Sequence, residues 1–204
     1  MAADDMRMYE TFYGIYVDDW VEDFGSFANH HKLLVKEYIN EGCSTASSST
    51  ASETHKFLYP HHIKKIYFIE GVIDGQVTFA SSGATVFLCA YRVTVGKVHE
   101  DTTEDELFTT GWVTVNDTLG WDATYFIPSS IASIVGEVVY PFWIDAWEKE
   151  KLDEHERIYV QVESVCSDNN SFVSCLAASC TSMVLWHSND ATWEDLKITI
   201  PFKM

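Results

Sequence analysis

Arg157-Ile158-Tyr159-Val160-Gln161-Val162-Glu163 decides the fold class of this chain. Successive side chains of an extended backbone point to opposite faces. Ile158, Val160 and Val162 therefore share one face, and Tyr159, Gln161 and Glu163 share the other. Period-two alternation of this kind marks a half-buried strand, not a helix. Between residues 63 and 165 the pattern recurs in short runs of β-branched and aromatic residues, broken by Gly, Asn and acidic turns. The expectation is an all-β chain, an antiparallel β-sandwich with an N-terminal arm and a few short helical turns.

Outward from that stretch, residues 11–17 read as a strand and 32–39 as a second strand or a short helix. Residues 42–53 are almost all small and polar, which cannot pack a core and reads as an exposed loop. Residues 1–55 are thus expected as an N-terminal arm and Ser-rich loop, and 56–204 as the β-sandwich domain. Gly71, Gly75 and Ser81-Ser82-Gly83 punctuate the next stretch into strands at 65–69, 76–80 and 84–98, an antiparallel meander. In the last of these Phe87, Cys89, Tyr91, Val93 and Val95 fall on one side. After the acidic turn at 99–106, a strand returns at 111–115, and Ser129 opens a short helical connector over 129–135. Residues 138–147 and 155–165 flank a polar connection short enough for a hairpin. Residues 171–175, 182–187 and 196–200 supply closing strands.

At 204 residues, 47% of them hydrophobic, the chain can build one sizeable core. Its 31 acidic against 13 basic residues give a net charge of -18, which repels phosphate backbones and anionic lipid headgroups. Nucleic acid and membrane are therefore not expected as partners. The acidic start Met1-Ala2-Ala3-Asp4-Asp5 lacks the basic and apolar regions of a secretory signal, and no apolar run reaches the ~20 residues that cross a bilayer. The five cysteines, Cys43, Cys89, Cys166, Cys175 and Cys180, include no CxxC pair and are expected as reduced thiols.

No motif carries chemistry. His30-His31 and His61-His62 are adjacent pairs, so on a strand each offers one imidazole to an ion; a zinc site joining His31, His62 and a carboxylate is the best such constellation. Asp18, Asp19, Glu22 and Asp23, or Asp101, Glu104, Asp105 and Glu106, lack the glycine-bearing spacing of a calcium loop. No serine lies in a G-x-S-x-G elbow, and no phosphate loop is present. The expectation is a non-enzyme with no cofactor and no metal. The seven tryptophans offer a different use. If 138–147 is a strand, Trp143, Asp145 and Trp147 alternate onto one face, and a carboxylate between two indoles suits a contact surface better than a deep core. That face can pack subunits, or stack sugar rings.

The runs Tyr91-Arg92-Val93-Thr94-Val95-Gly96-Lys97-Val98, Thr109-Thr110-Gly111-Trp112-Val113 and Tyr140-Pro141-Phe142-Trp143-Ile144-Asp145-Ala146-Trp147 resemble accessory β-sandwich proteins of virus particles. The resemblance covers about residues 63–200. It implies a jelly-roll or related sandwich that assembles in many copies on a capsid or tail, inside a virion put together in the host cytoplasm. Its partners would be itself, as a homo-oligomer, and other structural proteins; a glycan is the alternative.

Overall fold

The computed structural model describes residues 7–16, 32–37, 52–81, 87–114, 136–167, 183–185 and 196–204. Among them are eleven strands and no helix: β1 (Arg7–Tyr16), β2 (Lys32–Val35), β3 (Ser52–Leu58), β4 (Tyr67–Ser81), β5 (Phe87–Val98), β6 (Glu104–Thr109), β7 (Val113–Thr114), β8 (Gly136–Leu152), β9 (Arg157–Ser167), β10 (Met183–Leu185) and β11 (Leu196–Lys203). All belong to one sheet. Its order is β8-β4-β11-β1-β2-β3-β9-β5-β6, with β10 also on β4 and β7 also on β5. Every described pairing is antiparallel except β2 with β3, which run parallel at Leu33 and Leu58. The architecture is thus a mixed sheet curled towards a barrel, where a purely antiparallel sandwich was expected. The short helical connector expected at 129–135 lies outside the described residues.

Alternation sets the inside. In β8, Tyr140, Phe142, Ile144 and Ala146 are buried while Pro141, Trp143, Asp145 and Trp147 are exposed. Tyr91, Val93 and Val95 of β5 and Ile158, Val160 and Val162 of β9 complete the same core. Burying an aliphatic side chain of this kind contributes ~1.5–3 kcal/mol, so the inward rows dominate the energetics. The two ends of the sheet, β6 and β8, come close to one another. Side chains stitch this seam. The Tyr91 hydroxyl donates to the Pro141 carbonyl at 3.1 Å, and the Lys97 ammonium donates to the Lys151 carbonyl at 3.2 Å. Pro141 lacks an N–H and is tolerated because β8 pairs on one side only, with β4, among the described residues.

Several pairings differ from the alternation-based expectation. β8 and β9 do not form a hairpin: β8 pairs with β4, whereas β9 lies between β3 and β5. The expected meander at 65–98 is also absent, because 67–81 is one continuous strand that does not pair with β5. Asp74-Gly75 reads as a turn signal but sits mid-strand. A Cβ on Gly75 would lie 2.3 Å from the Lys197 carbonyl oxygen and 2.6 Å from the Phe142 ring, so close approach, not a turn, demands glycine there. Gly71 (φ +135°) sits at a bulge facing β8. Within the stretch expected as an arm, β1 and β2 occupy interior positions of the sheet. Residues 36–51, which contain most of the Ser-rich segment, connect β2 to its parallel neighbour β3, and a parallel pair needs a crossover of about a dozen residues or more.

Tyr159 was expected on a polar face, yet it is 2% exposed. It lies opposite Gly96, where a Cβ would fall 2.2 Å from its ring, and Lys56 sits over the ring at 4.6 Å. An aromatic ring covering a cross-strand glycine restores the packing the glycine lacks.

Two outcomes test this packing. Gly75→Ala should lower stability by about 3 kcal/mol, because the clash is with backbone and cannot relax by rotation, measured by urea denaturation. Burial pushes the Tyr140 and Tyr159 hydroxyl pKa values well above 10.0, the latter with help from Glu104, Glu106 and Asp105. A folded pKa above the unfolded one means the stability is fully present below about pH 10 and falls as pH rises beyond it. Alkaline unfolding should therefore coincide with a late, cooperative appearance of tyrosinate absorbance; tyrosinate forming well before unfolding would contradict it.

Candidate functional site

Trp143 and Trp147 are 51% and 62% exposed on the outer face of β8, with exposed Asp145 between them. The spacing of four residues puts the two indoles about 13 Å apart along the strand. Across the ladder Asp74 opposes Trp143 and Val72 opposes Asp145. Val72 is itself 39% exposed, so the stripe widens onto β4. Beyond Asp74 the same face turns polar through Thr199 of β11 and Thr11 of β1, whose hydroxyls lie 3.2 Å apart. The three residues singled out from the sequence are therefore brought together, as an apolar and acidic stripe at one border of the sheet.

The metal candidates behave differently. The His62 Nδ1 donates to the His155 carbonyl at 2.6 Å, and its Nε2 accepts from the Arg157 guanidinium at 2.7 Å. With both ring nitrogens engaged, His62 has no lone pair free for an ion. His30 and His31 lie outside the described residues, as do Asp18, Asp19, Glu22 and Asp23. In the second acidic cluster the carboxylates serve separate partners. The Thr103 hydroxyl and amide hold Asp101 below the usual carboxylate range, Glu104 pairs with Lys56, and Asp105 accepts from His99 Nε2 at 2.8 Å. Among the described residues no group of three His, Cys, Asp or Glu side chains is arranged to hold a metal.

Glu156 anchors the end of the seam. It is 6% exposed; its Oε1 lies 2.7 Å from His99 Nδ1 and accepts from Lys97 Nζ at 3.1 Å, and its Oε2 accepts from the Asp153 amide at 2.7 Å. One carboxylate thus ties the end of β5 to the turn between β8 and β9. This is a structural knot, since its acceptors are already occupied.

A feature that the sequence did not single out is a cleft of about 390 Å3 at one mouth of the curled sheet. Glu10 and Phe12 from β1, Lys36 beyond β2, Tyr59 beyond β3, Tyr67 from β4 and Phe202 from β11 line it. Each is an ordinary residue in its own segment, and only the closure of the sheet gathers them.

No protein-family model and no curated protein matches the sequence. Among solved structures the chain is similar to two crystal structures of a CocE/NonD family hydrolase from Staphylococcus aureus, with TM-scores of 0.50 and 0.47 at 9% and 10% identity. Each alignment spans 97% of this chain and 37% of the hydrolase chain. The chain therefore corresponds to little more than a third of that protein, and at 9% identity the likeness concerns the fold alone.

Glu156→Gln keeps the shape of the knot but removes the charge that Lys97 and His99 face. Hydrogen bonds to charged groups contribute ~1.5–3 kcal/mol, so a loss of about 2 kcal/mol is expected in chemical denaturation, with the sheet content unchanged by circular dichroism. A neutral result would show the knot to be dispensable.

Proposed function

We propose that this chain is a non-enzymatic structural or assembly protein that works through protein–protein contacts, as a capsid or tail component of a virion. The observation carrying this reading is the Trp143-Asp145-Trp147 stripe on the outer face of β8, widened by Val72. Exposed tryptophans are the residues most enriched at the energetic centre of interfaces, and each can bury ~150–250 Å2 on contact. Two of them on a rigid strand give a preorganised patch around which an interface of the usual ~800 Å2 per partner can form. The partners on this reading are further copies of the chain and other structural proteins of the particle. Backbone likeness to a hydrolase at 9% identity transfers no reacting residue, so it does not redirect the reading towards catalysis.

A second reading rests on the same indoles. Flat rings about 13 Å apart with a carboxylate between them also suit a short glycan, each indole covering one pyranose and Asp145 accepting from hydroxyls.

Native mass by size-exclusion chromatography with light scattering, across protein and salt concentration, separates the two. A chain of net charge -18 assembles against its own repulsion, so oligomers should grow as salt rises. The double variant Trp143→Ser, Trp147→Ser should shift the population to monomer by tenfold or more in dissociation constant, as expected of ~1.4 kcal/mol or more of hot-spot energy. A monomer under every condition, with tryptophan fluorescence responding to oligosaccharides, would replace the assembly reading with the glycan one.

A further inference from the structure

The mouth of the curled sheet has a composition that packing alone does not require. Glu10 of β1 and Tyr67 of β4 share the parity of buried residues on their strands, and Lys36 and Tyr59 directly follow the ends of β2 and β3. Glu10 is two residues from buried Phe12, Lys36 two from buried Leu34, Tyr59 two from buried Phe57, and Tyr67 two from buried Ile69. Four rings form a continuous wall: Tyr59 meets Phe12 edge-on at 5.3 Å, Phe12 meets Phe202 at 6.4 Å, and Phe202 meets Tyr67 at 5.8 Å. Into this wall reaches the Lys36 side chain, while the exposed His61, His62 and Lys64 also line the cleft. The Lys36 ammonium stands 5.8 Å from the Phe12 centroid and 5.9 Å from that of Tyr59, and it is ion-paired with Glu10.

These distances lie at the outer limit of cation–π attraction, about 6 Å, so Lys36 uses the aromatic wall only at its margin. The cleft of about 390 Å3 is in the range of small-ligand sites, ~300–1,000 Å3. Both charged side chains remain reachable from water, at 47% exposure for Lys36 and 35% for Glu10. At the Lys36 position the Glu10 carboxylate favours positive charge. Burial by itself lowers the Lys36 pKa, but the Glu10 hydrogen bond, with Tyr59 and Tyr67, overcomes it and holds the amine above its ordinary value.

We propose that this mouth binds the ammonium head group of a small quaternary or alkylated amine, in the seat that the Lys36 side chain occupies at its edge. Aromatic faces and a carboxylate are the pairing that recognises such head groups, because a bulky, weakly hydrated cation gains from π faces what a strongly hydrated primary ammonium loses on desolvation. Lys36 is then an internal competitor. The site is separate from the Trp143 stripe, which lies on the opposite, outer face of the sheet, so the two stand or fall independently.

The test titrates the full chain with tetramethylammonium chloride and with choline at ionic strength fixed by sodium chloride, read by calorimetry and by saturation transfer to the methyl resonance. The control ligand is the uncharged isostere of choline in which carbon replaces the quaternary nitrogen. Expected are weak binding of both cations to the wild type, a gain of about tenfold in affinity in Lys36→Met, where the competitor is gone, and a loss of about fivefold or more on adding Glu10→Gln or Tyr59→Leu to that variant. Lys36 is half exposed, so Lys36→Met should fold, which an unchanged melting temperature confirms; Tyr59→Leu in the wild-type background is the second probe. Equal binding of cation and uncharged isostere, affinity in Lys36→Met no higher than in wild type, or no binding by any of the proteins would overturn the proposal.

Discussion

A single sheet with one apolar face must find something to cover that face, and among the described residues there is no helix to do so. The sheet covers itself. Inward rows from β4, β5, β8, β9 and β11 meet in one core, which requires the two ends of the sheet to approach. Full closure would need a backbone ladder between β8 and β6. Tyr91 and Lys97 instead donate to β8 carbonyls, so the seam is made by side chains. Tyr91 is suited to this because its ring belongs to the core while its hydroxyl reaches the border and donates to the Pro141 carbonyl.

That constraint explains which parts of the fold are legible in the sequence. Alternation is local, and it placed Ile158, Val160 and Val162 inward, as it did Tyr91, Val93 and Val95, and Trp143, Asp145 and Trp147 outward; Tyr159 is the exception, buried over Gly96 on the face read as polar. Pairing is not local. Whether β9 lies beside β8 or between β3 and β5 depends on the sum of contacts across the curled sheet, and nearness in sequence gives the wrong neighbour. Glycines mislead for a related reason. Gly75 looks like turn punctuation, yet, like Gly96 within the strand expected at 84–98, it marks a place where a backbone or a ring on a neighbouring strand comes too close for a Cβ. The Ser-rich segment resembles a linker between an arm and a body, although its neighbours in the chain, β2 and β3, are also neighbours in the sheet.

The same division applies to the sites. The Trp143 stripe was visible because its three residues sit on one strand, and parity alone assembles them. The mouth was invisible because Glu10, Lys36, Tyr59, Tyr67 and Phe202 come from five segments that only the strand order brings together. His62 was the best metal candidate in a chain expected to hold no metal, and the turn containing His155 and the start of β9 use both of its nitrogens for backbone and guanidinium contacts.

A curled sheet has two kinds of free surface, and they differ in what they can recognise. The outer face is held by the packing beneath it. Because Phe142, Ile144 and Ala146 are locked inside, Pro141, Trp143, Asp145 and Trp147 are held outside in fixed order, which gives a rigid patch at little entropic cost. At the mouth the inward rows run out of neighbours. Side chains there point towards the axis without a further layer to cover them, so water reaches them and charge becomes tolerable beside aromatic rings. Glu10 and Lys36 occupy that position and no deeper one: one strand step inward from each lies Phe12 or Leu34, buried and apolar. The ion pair therefore marks the boundary between core and solvent on the inner face, and the chemistry of the mouth follows from the way the sheet ends.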